Sequence, residues 1–268
     1  MSTYIKQWIV ISILVAGCQS RPSALDQAAT MVAETVAAAP PTDKPVSTST
    51  PLPVDTPKPF PTVTPHIALT ATVEAMRVLS ELDVRVGSNS DFPYGEGYLA
   101  WKQTEPVTIE MSGPQKDAGI LQAIDDSLNA ANFIFKSNVR WNASGVLICG
   151  LAYRSEEDLK KGKQYQFYFY RLSGLPAYKI DVYDFGRFKN TITDVKFSDG
   201  VDAANGASNE FIVVAKAERF TVYINGQSQG DYYDSSKQRG DGLLAFVAWQ
   251  ESGRGSCTFE DSWVWVLP

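Results

Sequence analysis

From about Leu82 to Pro268, β-branched and aromatic residues alternate with polar ones, and Gly, Asn, Asp and Ser interrupt the runs at short intervals. A period of two predicts strands rather than helices, because successive side chains of a strand point to opposite faces. The runs fall at 98–101, 107–111, 132–141, 146–154, 165–172, 178–183, 210–217, 219–224, 243–249 and 257–266. About ten strands with no intervening helical pattern predict an all-β fold, a two-sheet antiparallel sandwich. Asn225-Gly226 follows the run Phe220 to Ile224 and predicts a type I′ hairpin turn, since both residues tolerate positive φ.

Upstream the texture changes. Ile67 to Leu82 suits a helix with Ala68, Ala71, Ala75, Met76 and Leu79 on one face. Between Pro40 and Pro65 nine prolines sit amid Ser and Thr, and 19–39 are Ala-rich. Such a stretch buries too little apolar area to offset chain entropy, and proline favours extended polyproline II geometry. The expected organisation is a leader at 1–18, a disordered Ala/Pro/Ser/Thr-rich linker at 19–79 and a folded module at 80–268.

The leader carries Lys6 and then an apolar run from Trp8 to Ala16, too short to span a bilayer and characteristic of a signal peptide. It ends in Val15-Ala16-Gly17-Cys18, which resembles the lipobox of bacterial lipoproteins. That resemblance implies lipidation at Cys18 and a membrane partner reached through the lipid. The chain is therefore expected to be exported and held on the outer side of the cytoplasmic membrane or on the cell surface.

Charge and histidine content narrow the chemistry. Twenty-four Lys and Arg against thirty Asp and Glu leave a net charge of −6, with no basic cluster, which argues against a nucleic-acid backbone or an anionic lipid surface as partner. The single histidine, His66, lies among prolines and threonines, so neither a Ser-His-Asp nucleophile nor a His-rich zinc site is expected.

Three segments carry a resemblance to a known fold family: Cys149 to Arg154, the hairpin Phe211 to Gly226, and Gly242 to Val247 followed by Thr258 to Trp265. They resemble the concanavalin A-like lectin/glucanase superfamily, in particular its laminin-G-like and 3-keto-disaccharide hydrolase-like jelly rolls. The resemblance covers about Ala131 to Leu267 and implies a jelly-roll sandwich. Laminarinase-type hydrolases of that superfamily carry a Glu-x-Asp-x-x-Glu strand, which this chain lacks. Asp181 and Asp184 are three apart, and Glu260 and Asp261 adjacent, so neither pair shares a strand face. Glu156, Glu157 and Asp158 read as a solvated loop. The resemblance also raises calcium, and Asp199, Asp202, Asn205, Asn209 and Glu210 crowd one loop, but their spacing fits no defined calcium loop and no cofactor is expected.

Alternation then picks out a ligand face. In 166–170, Phe167 and Phe169 are expected in the core, turning Tyr168 and Tyr170 the other way; in 180–183, Ile180 and Val182 face in and Asp181 and Tyr183 out. Arg154 ends a neighbouring strand, and the resemblance adds Trp249 from another. Aromatic faces for sugar C–H groups beside directed polar groups suit carbohydrate. With Cys18 assigned to lipid, Cys149 and Cys257 remain to form a disulfide in an oxidising compartment. The function these readings favour is a surface-anchored, non-catalytic binding module for extracellular glycan. The alternatives are a carbohydrate-active hydrolase or a structural adhesion domain.

Overall fold

A computed structural model describes residues 67–268, apart from 88–91, 117, 173 and 238. The leader with Cys18, and the Pro-rich stretch, lie outside the described residues. Residues His66–Pro268 form one compact unit.

The chain enters that unit through helix α1 (Ile67–Arg85) and continues through thirteen strands: β1 (Tyr98–Lys102), β2 (Val107–Ser112), β3 (Ile120–Ala123), β4 (Phe133–Ala143), β5 (Leu147–Ser155), β6 (Gln164–Leu172), β7 (Leu175–Asp184), β8 (Arg187–Phe197), β9 (Ser208–Lys216), β10 (Arg219–Ile224), β11 (Gln227–Tyr233), β12 (Leu243–Gln250) and β13 (Arg254–Val266). All pair antiparallel in two sheets. One runs β1-β13-β4-β9-β10-β11, with β2 also on β13, and the other runs β3-β12-β5-β6-β7-β8. This is the two-sheet antiparallel sandwich that the alternation predicts, in the jelly-roll form that the resemblance implies. Asn225 and Gly226 take φ of 49° and 76° at the β10–β11 turn, as a type I′ hairpin requires.

Strands β3, β8 and β11 have no counterpart among the expected runs. Each lacks the alternating signal for a physical reason. β3 is four residues long, β8 is an edge strand exposed over most of its length, and β11 reads Gln-Ser-Gln-Gly-Asp-Tyr-Tyr without an apolar row.

Between the sheets lie Phe135, Phe167, Phe169, Phe211, Phe220, Phe246 and Phe259, all essentially inaccessible to solvent. Phe246 stacks on Phe259 at 4.2 Å and Trp141 meets Phe169 at 5.1 Å, so aromatic contacts bridge the two sheets. Cys149 on β5 and Cys257 on β13 form the expected disulfide, with Cα atoms 5.9 Å apart. It cross-links the two sheets through the core.

Helix α1 covers the outer face of the β13-containing sheet. Val78 and Leu82 are fully buried against Ile134, Ile212, Val214, Trp263 and Trp265, and Ala75 and Leu79 are partly buried beside them. The buried positions recur at i, i+3, i+4 and i+7, the spacing of one helical face. A module boundary near residue 80 would divide this buried face, so the packed unit starts at the helix. Glu81 fixes the docking by accepting a hydrogen bond from Trp263 Nε1 at 3.0 Å.

Candidate ligand-binding face

The outer face of the second sheet is assembled by the predicted alternation. Phe167, Phe169, Ile180 and Val182 point into the sandwich, while Tyr168, Tyr170 and Tyr183 pack on its other side with Ile148 and Ala177. Register then places the side chains in rows. Gly150 of β5 pairs with Val247 of β12 on one side and Tyr168 of β6 on the other, and Tyr168 pairs with Lys179 of β7. One row over, Trp249 pairs with Ile148, which pairs with Tyr170. The result is a pocket of about 240 Å³ lined by Ala118, Ile148, Gln166, Tyr168, Tyr183, Val247 and Trp249.

The polar groups behind the pocket are tied together. Tyr168 Oη donates to the Asp181 carboxylate, and Lys179 Nζ lies 3.0 Å from Asp181 Oδ2. Asp181 is 1% exposed, and its Oδ1 is buried with no hydrogen-bond partner. Burial, with Tyr183 and Asp181 adding unfavourable charge, pushes the Tyr168 hydroxyl far above the ordinary tyrosine range. Burial and then Asp181 raise Tyr183 as well. Both hydroxyls are therefore neutral at physiological pH. Tyr168 and Tyr170 point outward as expected, yet each is only 6% exposed. The segment carrying Ala118 helps close this face, with Gln166 Nε2 donating to Ala118 O at 3.4 Å.

Tyr168, Tyr183 and Trp249 thus meet around one pocket. Tyr170 lies beside Tyr168, ring centroids 5.9 Å apart, and Asp181 sits behind it, so both support the pocket without lining it. Arg154 is a correction. The residue is 2% exposed, and its guanidinium carbon lies 5.4 Å from the centre of the core ring Phe220. It donates to Ala131 O at 2.8 and 2.6 Å, to Ala217 O at 2.7 Å and to Arg239 O at 3.3 Å. The reason is local: β5 gains one residue against β12 between the pairs Ala152–Ala245 and Ser155–Leu243, and Arg154 takes φ of 49°. That bulge breaks the period of two and turns the side chain away from the ligand face.

Gln166 and Lys179 belong to the same outward rows as Tyr168 and Asp181, and a strict reading of the alternation would have found them. Ala118 comes from a segment distant in sequence and carries no such signal.

The oxygen-rich loop at 199–210 is engaged in its own architecture. Asn209 Oδ1 accepts from Asp202 N at 2.8 Å, Asp202 Oδ1 from Ala204 N at 2.9 Å, and Asn205 Oδ1 from Ala143 N at 2.7 Å. Glu210 pairs with Arg85 at 3.2 Å. Among the described residues no three His, Cys, Asp or Glu side chains gather at a common point. Asp184 pairs with Lys189 at 3.1 Å and Glu156 with Arg239 at 3.1 Å.

No family model matches the chain, and no curated protein matches it. Solved structures do. A carbohydrate-binding module from Bacillus subtilis is 16% identical over 57% of this chain and 96% of its own, with a TM-score of 0.41. A β-glucanase of Bacillus licheniformis is 10% identical over 66% and 97%, with a TM-score of 0.41. A protein described as a putative glycosyl hydrolase, from Parabacteroides distasonis, is 18% identical over 64% of this chain and 85% of its own, with a TM-score of 0.38. These neighbours are jelly-roll sandwiches of the concanavalin A-like kind.

Proposed function

We propose that this chain is a surface-anchored, non-catalytic binding module whose ligand is an extracellular glycan. The observation that carries the reading is the convergence of Tyr168, Tyr183 and Trp249, from three different strands, on one pocket with the Gln166 amide. Ring faces match the C–H faces of a pyranose, and an amide and a neutral hydroxyl provide directed hydrogen bonds to sugar hydroxyls. The Tyr168–Asp181 hydrogen bond supports this by holding one ring in place before ligand arrives, which lowers the ordering cost of binding. Lipidation of Cys18 would hold the module at the membrane surface.

A glycan array probed with the protein, followed by calorimetry of Trp249→Ala and Tyr183→Ala on the best hit, tests the reading. At least a tenfold loss in both folded variants is expected. Absence of any glycan hit, or full affinity in both variants, would overturn it. Mass spectrometry of the N-terminal peptide tests the anchor: a diacylglyceryl adduct on Cys18 is expected, and an unmodified terminus starting elsewhere refutes it.

A further inference from the structure

Nine large apolar side chains stand out as exposed among the described residues, and five of them, Leu175, Phe185, Phe188, Val195 and Phe197, lie on the β7–β8 hairpin. β8 is the outer edge of its sheet. Phe185 occupies the hairpin tip at φ of 52° and is 77% exposed. A bulky residue at positive φ is held there at a conformational cost, where Asn or Gly would turn without one. Cations sit next to the rings: Arg187 and Lys189 flank Phe188, Lys196 lies between Val195 and Phe197, and Lys179 Nζ is 5.0 Å from the centre of the Phe188 ring. From Asp184 to Phe197 there are three cations and two carboxylates, Asp184 and Asp194, and Lys189 is paired with Asp184 at 3.1 Å, which leaves a local balance of +1 against the chain's overall −6. Over a screening length of about 8 Å at physiological salt, that local balance decides what approaches the edge.

We infer that the β7–β8 edge docks on an anionic lipid surface, its rings entering the interfacial layer while Arg187 and Lys196 meet phosphate. Pairing with a second copy of β8 is disfavoured by the ladder itself. Its register against β7 slips three times, each time with one extra residue on β8, and bulged edges do not template another strand. The exposed side chains are Phe, Leu and Val, with no hydroxyl or indole N–H to bond a sugar, so hydrocarbon suits them better than a polysaccharide. The inference rests neither on glycan occupancy of the pocket nor on lipidation of Cys18, although Phe188 meets the pocket residue Tyr183 edge-on with ring centroids 6.4 Å apart, which makes Phe185 and Phe197 the rings farther from that site.

The test is vesicle co-flotation of the chain beginning at Gln19, which keeps the whole compact unit and lacks the apolar run 8–16. Binding to phosphatidylglycerol/phosphatidylcholine vesicles is expected to exceed binding to pure phosphatidylcholine at least tenfold. The triple variant Phe185→Ser/Phe188→Ser/Phe197→Ser, with its thermal transition retained, is expected to lose at least tenfold, and Arg187→Glu/Lys196→Glu to lose the preference for anionic lipid. The proposal is overturned if the ring variant binds vesicles like the wild type. It is equally overturned if ring-dependent binding is seen only to a soluble polyanion such as polygalacturonate, or if sedimentation shows a dimer that dissociates on ring substitution.

Discussion

Gly150 lies directly opposite Tyr168 in the β5–β6 ladder, and a Cβ at Gly150 would fall 2.1 Å from Phe167 O and 2.6 Å from Tyr168 Cα. Both nearest atoms are backbone, so the clash could be relieved only by moving strands apart. Gly150→Ala is therefore expected to destabilise the module by at least about 1–3 kcal/mol and to weaken ligand binding by displacing Tyr168. Urea unfolding and calorimetry check the two parts; wild-type stability would show that the ladder can relax.

Removing the hydroxyl behind the pocket should be felt despite its small size. Tyr168→Phe leaves the Asp181 carboxylate, whose Oδ1 already has no partner, with Lys179 alone at Oδ2. A loss of about 1–3 kcal/mol is expected by chemical denaturation, the cost of a buried polar group left unsatisfied.

Arg154→Met is expected to cost stability rather than ligand affinity. The substitution removes the hydrogen bonds that the buried Arg154 gives to Ala131 O and Ala217 O, a loss on the order of 1.5–3 kcal/mol for a hydrogen bond to a charged group. Calorimetry on the folded fraction should return wild-type affinity. A selective affinity loss at unchanged stability would return Arg154 to the ligand face.

The Cys149–Cys257 bridge closes a separation of 108 residues. In the chain-entropy model such a loop contributes up to about 4 to 5 kcal/mol. Urea midpoints of Cys149→Ala/Cys257→Ala should fall accordingly, and thiol labelling of the denatured, unreduced wild type should find neither cysteine free.

Acid should loosen the contact between α1 and β13. Burial opposes ionisation of Asp261, but the Lys136 hydrogen bond and charge, with Arg77 and Lys102, outweigh it and hold the carboxyl below its ordinary range. A depressed folded-state pKa contributes stability that is complete above the unfolded value of about 3.9 and is lost as pH falls through the folded value. Asp261→Asn is therefore expected to be less stable than wild type at pH 7, and that gap to close in acid. A gap independent of pH would assign the effect to packing.

Strand period, the Asn225-Gly226 turn and the inward and outward rows of 166–170 and 180–183 were all legible, because each depends on residues near one another in the chain. The helix was legible in place and in part of its buried face, since Ala75 and Leu79 of the expected stripe pack on the sheet; Val78 and Leu82, the fully buried positions beside them, were selected by contact with Trp263 and Trp265. Arg154 defeated the reading for a related reason, since the bulge that turns it inward is a property of the β5–β12 ladder and not of β5 alone.

What the sequence by itself determined is whatever period and turn chemistry specify locally: an all-β sandwich, and which side chains of β6 and β7 share a face. Tertiary structure alone decided which rows become neighbours. Strands β12, β5, β6 and β7 lie side by side although their order along the chain is different, and only that order brings Trp249 within one pocket of Tyr168 and Tyr183. It also decided that the outward tyrosines are buried, because the segment carrying Ala118 closes over a face that alternation can mark as outward but cannot mark as covered.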